Sequence, residues 1–306
     1  MSELLQIEKG DTADTPATPG RRLPSWLRAK SGRWERVHDM KVLLSGSRLH
    51  TVCEEARCPN QGECWTRGTA TFMLLGDICT RSCSFCAVRT GRPAPPDPEE
   101  PRHVAEASRR LGLRFVVVTS VTRDDLEDGG ASHFAATVRA ISEMNPGARV
   151  EVLVPDFKAD RESIRRVVES RPTVFNHNLE TVERLTRRIR IQGRYHRSLT
   201  VLRIAKDLGQ RVTKTGIMLG LGETEEEVLH LMRDARGAGC DIFTVGQYLQ
   251  PTKHHSPVAE FVPPDRFKTY EEAGYGMGFK VVLSGPLVRS SYHAELAAQE
   301  LEEVTA

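Results

Sequence analysis

A chain of 306 residues, 39% hydrophobic and 27% charged, carries enough apolar side chain for one large domain or two small ones and too little for a membrane-embedded protein. Forty-three basic against forty-one acidic residues leave a net charge of +2, which is no broad footprint for a nucleic acid or an anionic membrane. Seven cysteines is an odd count, and six of them crowd between Cys53 and Cys86, unlike the spread-out bridges of a secreted scaffold.

Residues 1–22 are rich in Thr, Pro, Asp and Glu, with too little apolar surface to offset the entropy of ordering, and predict a disordered tail. They lack the basic start and apolar core of a signal peptide, and no stretch approaches the run of about 20 apolar residues that spans a bilayer. A cytoplasmic protein without membrane or nucleic-acid partners is expected. Residues 23–70 show little periodicity but much Cys, Gly, Pro and Arg, the character of an N-terminal extension organised around a ligand.

Over 71–263 short apolar runs alternate with amphipathic stretches. Strands are predicted at Thr71–Leu75, Phe115–Thr119, Val150–Val154, Val174–Asn178, Val212–Leu219 and Ile242–Val245. Helices are predicted at Val104–Leu111, Phe134–Met144, Ser163–Glu169, Val182–Ile189, Leu199–Leu208 and Glu225–Ala238. Thr224 can cap the last of these, with Glu225, Glu226 and Glu227 at the positive end of its dipole, and Gly209 can close the one before. Six βα units in series imply a parallel sheet with helices outside, either an open doubly wound sheet or a whole or partial barrel. Functional residues then belong at the C-terminal ends of the strands. Residues 264–306 form a C-terminal extension with a strand-like Lys280–Leu283 and the segment Arg289–Tyr292.

Cys79, Cys83 and Cys86 spell C-x3-C-x2-C in the loop after the first strand. Three thiolates from one compact loop leave the fourth iron of a cubane cluster open for a substrate or cofactor, whereas a structural zinc normally takes four protein ligands. Cys53, Cys58 and Cys64 spell C-x4-C-x5-C, which by spacing alone fits either an incomplete zinc knot or a second cluster.

With Phe85 before the third cysteine, Cys79–Cys86 resembles the signature of the radical S-adenosylmethionine (SAM) superfamily. The second triad, fifteen residues upstream, narrows the resemblance to the lipoyl synthases. ECWTRGTATFMLLGDICTRSCSFCAV, TSVTRDDLEDGG, FNHNLETV, KTGIMLGLGET, VGQYLQPTKHH and RSSYHA carry it from about Leu49 to Ala294. IQGRY at Ile191–Tyr195 departs from the family's pattern, nearer PGADY, and Cys240 stands where an aliphatic residue is usual and reads as a packed small hydrophobe.

The resemblance implies an α/β fold, a partial (β/α)6 TIM-like barrel whose N- and C-terminal extensions carry an auxiliary iron–sulfur cluster. It implies two 4Fe-4S clusters and SAM as cofactors. One cluster, on Cys79, Cys83 and Cys86, cleaves SAM to a deoxyadenosyl radical. The other, on Cys53, Cys58, Cys64 and a serine of RSSY, taken as Ser291, surrenders sulfur. Were that segment extended, Ser290 and Ser291 would face opposite ways and only one would reach the metal. Further implied SAM contacts are Asn178 and Glu180 at the ribose, Gly216, Gly220 and Glu223 of the glycine-rich strand at adenine, and Arg197 at the methionyl carboxylate. His254, His255 and the acids of TRDDLED receive no role.

The implied reaction inserts two sulfur atoms, at the sixth and eighth carbons of an octanoyl group amide-linked to a carrier lysine. The implied partners are octanoylated lipoyl-carrier domains, from 2-oxoacid dehydrogenase acyltransferase subunits or the glycine cleavage H protein, and a ferredoxin or flavodoxin electron donor. Two rivals are a biotin-synthase-like thiolation, which C-x4-C-x5-C with RSSY disfavours, and a non-catalytic zinc-binding module.

Overall fold

The computed structural model describes residues 23–27, 49–55, 58, 60–292 and 294–295; the tail expected over 1–22 lies outside them. Ten strands follow in chain order: β1 (His50–Thr51), β2 (Thr69–Leu74), β3 (Ile78–Cys79), β4 (Arg89–Thr90), β5 (Phe115–Ser120), β6 (Arg149–Leu153), β7 (Val174–Asn176), β8 (Thr213–Leu219), β9 (Ile242–Gln247) and β10 (Val281–Ser284). The helices among them are α1 (Val52–Glu55), α2 (Gln61–Thr66), α3 (Glu100–Arg110), α4 (Ala131–Met144), α5 (Arg161–Glu169), α6 (Glu183–Ile189), α7 (Tyr195–Asp207), α8 (Glu225–Gly237) and α9 (Pro264–Gly276).

Eight strands form one sheet in the order β1-β2-β5-β6-β7-β8-β9-β10, with β1 antiparallel to β2 and every other pair parallel. The two ends of that order do not pair with each other, so the barrel is partial. All six expected strands and six expected helices are present within a few residues of their predicted bounds. Three features go beyond the expectation: the expected C-terminal strand joins the sheet, Val281 pairing with Ile242, and adds a seventh parallel strand to the six; β1 adds an antiparallel edge; and β3 and β4 form a small separate sheet.

The strands read as near-continuous apolar runs because both faces are covered; Phe115, Val116, Val117 and Val118 of β5 are all buried. β8 breaks that rule. Its Lys214 is fully buried and donates to both carboxylate oxygens of Glu151 on β6, at 3.0 and 2.9 Å, while Asn176 of β7 donates to the same carboxylate. Thr224 caps α8 reciprocally with Glu227, and Gly209 takes φ +90° after α7, both as the end signals predict.

Candidate functional site

β3 and β4 pair in parallel at the base of the Cys79–Cys86 loop, Cys79 opposite Thr90. Each flank of the loop is tied to the segment following a different strand, which puts it at the C-terminal rim as expected. After β5, Thr122 donates its amide to the Cys79 thiol at 3.3 Å, and its carbonyl accepts from the Thr80 amide at 3.0 Å. On the other side, the Ser84 amide donates to the Ile189 carbonyl at 2.9 Å, and the Ser256 amide donates to Ser84 at 2.8 Å.

Arg81 stands inside the C-x3-C spacing and reaches two carboxylates at once. Nε and Nη2 bond both oxygens of Asp124 at 2.6 and 2.8 Å, and Nη1 and Nη2 bond both oxygens of Asp156 at 2.9 and 2.8 Å. A planar guanidinium can satisfy two forks in this way; an ammonium cannot. Asp156 is fully buried, and although burial favours its neutral form, the hydrogen bonds and charge of Arg81 hold its carboxyl well below the usual range. Asp124 is one of the TRDDLED acids that carry no role in the sequence reading. Nothing in its own segment announces a partner 43 residues away.

His255 is a second such residue. Its Nε2 bonds the Cys86 carbonyl at 2.9 Å, so Nε2 carries the proton and Nδ1 accepts from the Thr252 hydroxyl. Burial pushes the Cys83 thiol up to about 12 despite the pull of the nearby Arg190 guanidinium, and burial also raises Cys86. Neutral thiols crowded in this way become good ligands once a cation offsets the cost of thiolate charge.

Asn178 and Glu180 lie side by side at the end of β7. Glu180 adopts φ +69°, its amide donates to Gly216 and its carbonyl accepts from Met218, which pins it against β8. Burial raises its carboxyl pKa against the opposing influence of Arg190 and Asn178. The Asn178 Oδ1 is buried and has no hydrogen-bond partner among the described residues. Gly216 is needed there: a Cβ would sit 2.1 Å from Thr244 Oγ1 and 3.3 Å from Asn178 Oδ1.

Two other sequence-predicted contacts are engaged within the protein. Glu223 accepts from the amides of Gly220 and Leu221 at 2.5 and 2.9 Å and so braces the glycine turn. Gly220 itself, at φ +94°, makes room for the Gln247 amide and the Glu260 carbonyl. Arg197 donates to Asp156 at 2.9 Å and to the Gln192 carbonyl at 2.6 Å.

Cys53 on α1, Cys58, and Cys64 on α2 line one cavity with Arg289, Ser291 and Tyr292. Arg289–Tyr292 is not extended but a turn, closed by the Tyr292 amide on the Arg289 carbonyl at 2.9 Å, so which serine faces the cavity is set by the turn and not by strand alternation. Distant residues hold the turn in place: Asn60 donates to the Leu287 carbonyl at 2.6 Å, and the Tyr292 hydroxyl donates to Glu63 at 3.2 Å.

Burial, and then the charge of Cys58, push Cys53 up to about 11; burial also raises Cys58 and Cys64. Two donors await charge there. The half-buried Arg289 guanidinium lies beside Cys58, and the buried Trp65 indole N–H, without a hydrogen-bond partner among the described residues, lies beside Cys53. Among the described residues no three His, Cys, Asp or Glu side chains converge as on a single metal ion. All seven cysteines are free thiols. Cys240 is fully buried in the second half of the core, its thiol directed to the Ile242 carbonyl at 3.2 Å, as expected of a packed small hydrophobe.

The sequence profile of the Radical SAM superfamily matches residues 73–235. Solved structures with this fold include methylornithine synthase, with a TM-score of 0.53 and 16% identity over 88% of this chain and 92% of that one. The hydrogenase maturase HydG from Carboxydothermus hydrogenoformans gives a TM-score of 0.58 and 17% identity over 88% of this chain and 69% of its own. The partial barrel with three cysteines in one loop at its rim is thus that of a radical SAM protein.

Identity with curated proteins is far higher. A lipoyl synthase of Caldanaerobacter subterraneus is 58% identical over 90% of this chain and 96% of its own length, and one of Thermus thermophilus is 54% identical over 96% and 92%. The chain belongs to the lipoyl synthase family.

Proposed function

We infer that this protein is a sulfurtransferase that inserts two sulfur atoms, at the sixth and eighth carbons, into an octanoyl group carried on a lysine of a lipoyl-carrier protein, using SAM and iron–sulfur clusters. Beside its family membership, the reading rests on one observation: two separate cysteine triads, the second sharing its cavity with Ser291.

Cys79, Cys83 and Cys86 would hold one 4Fe-4S cluster, and Cys53, Cys58, Cys64 and Ser291 the other. Bound there, the first cluster and SAM supply the radical that removes hydrogen, and the second supplies sulfur. A serine oxygen is a weaker ligand for iron than a thiolate, which suits a centre that must come apart. Asn178 and Glu180 would take the ribose hydroxyls, the orphaned Asn178 Oδ1 as an acceptor. Gly216 and Gly220, where a Cβ would collide with Thr244 and with Gln247, would lie along the adenine, and Glu223 and Arg197 hold the glycine turn and Asp156 in place. The carriers would be acyltransferase domains of 2-oxoacid dehydrogenases or the glycine cleavage H protein, and the reductant a ferredoxin or flavodoxin. No helix among the described residues is long and apolar enough to cross a membrane.

The test replaces Cys53, Cys58 and Cys64 by Ala and follows anaerobic turnover on an octanoylated carrier peptide. Deoxyadenosine release should persist while mass-detected sulfur insertion stops. Lipoyl product from the triple variant would overturn the division of labour.

A further inference from the structure

Electron transfer through protein falls steeply with distance, so a donor protein must dock where the cluster-bearing loop meets the surface. That place is visible around Ser84, between Cys83 and Cys86, where the flanking Ser82 and Ala87 are exposed. Two segments grip Ser84. One is the end of α6, whose Arg188 and Ile189 carbonyls accept from the Ser84 hydroxyl at 3.3 Å each. The other is the loop ending at Ser256, whose hydroxyl meets that of Ser84 at 2.7 Å.

Both segments present cations to solvent. Arg187 and Arg188 are exposed on the last turn of α6, Arg194 is exposed just beyond it, and Lys253 is exposed on the other loop. Among the described residues none of these four has a carboxylate within ion-pair distance; the nearby acids Glu183 and Glu227 are taken by His196 and Arg184. Ile191 is 54% exposed, one of few large apolar side chains so placed, and Arg194 donates to its carbonyl at 3.1 Å. An apolar centre with an unpaired cationic rim, on a protein of net charge only +2, is the complement of an acidic surface.

We propose that the surface formed by Arg187, Arg188, Ile191, Arg194 and Lys253 docks an acidic one-electron carrier protein, which delivers the electron to the cluster held by Cys79, Cys83 and Cys86. One electron leaves the carrier and enters the cluster; no bond forms or breaks between the two proteins. The proposal rests on the functional reading above and names the site its reductant uses.

The test uses the full chain loaded with its clusters and oxidised flavodoxin as the probe, with affinity read by calorimetry across a salt series. Combined Arg188→Glu and Arg194→Glu should weaken binding about tenfold at low salt and flatten its salt dependence, as rim charges do. Lys253→Glu, on the separate loop, should act in the same direction, and Arg188→Lys with Arg194→Lys should restore binding. Deoxyadenosine release driven by dithionite should be unchanged in these variants, while release driven by reduced flavodoxin falls.

Unchanged flavodoxin affinity in both charge-reversal variants would overturn the proposal. So would a loss confined to binding of the octanoylated carrier domain, which would assign the surface to the substrate protein. Binding is read without turnover, so a failure of the sulfur-insertion reading leaves this test intact.

Discussion

Replacing Arg81 by Met removes one guanidinium from between two carboxylates while keeping a side chain of similar length. Four hydrogen bonds of 2.6 to 2.9 Å are lost, and Asp156, with no exposed surface, keeps only Arg197 and the Lys158 amide as partners. Breaking a buried ion pair from one side costs about 3–5 kcal/mol, and because Arg197 remains and Asp124 is part-exposed, about 3 kcal/mol is expected at neutral pH.

The pH dependence separates this cause from a packing defect. Asp156 has a folded-state pKa depressed below its ordinary value of 3.8, so its stabilisation is fully present above that value and disappears as pH falls through the lower folded-state value. Urea unfolding of the metal-free protein at pH 7 and near pH 3 measures both quantities. The gap between parent and Arg81→Met should narrow at the lower pH. A gap under about 1 kcal/mol at pH 7 would refute the ion-pair argument, and so would one that is the same at both pH values.

Gly246→Ala would set a Cβ 2.1 Å from the Val288 carbonyl oxygen, a backbone atom that no rotamer change can move. The turn bearing Ser291 should shift, and iron in the Cys53–Cys64 site should fall while the Cys79–Cys86 site keeps its content by Mössbauer quantitation. Cys240→Ala should keep all cluster iron and cost about 1 kcal/mol of stability, because it only removes a small buried group. Loss of half the iron would make Cys240 a ligand. His177 is buried, and burial followed by the charge of Arg190 lowers its pKa from 6.5 to about 4. The unfolded chain therefore binds the extra proton first, so stability should fall as pH drops from 6.5 towards 4, and His177→Gln should remove that slope in urea titrations.

Much of this protein is written in local pattern. Alternating apolar runs and amphipathic stretches mark every unit of the sheet, since burial on both faces or on one stripe leaves a periodic trace within a single segment. The same holds for Thr224 and Gly209, whose capping roles are completed within three or four residues, and for the cysteine spacing, which places three thiols in one short loop.

What local pattern does not contain is the choice of partner across the molecule. Asp124 and His255 read as ordinary loop residues, because the groups they hold lie 43 and 169 residues away. Arg197 and Glu223 have the right chemistry to meet a ligand, and their bonds to a buried carboxylate and to two backbone amides are equally invisible in their own segments. The second cysteine set meets Ser291 across the chain, where Asn60 reaches a carbonyl 227 residues further on and Tyr292 reaches Glu63. Strand, helix and cluster-ligand spacing are short-range properties of the chain. Which charged or polar group satisfies which other depends on distances that exist only once the barrel has formed and water has been excluded from between them.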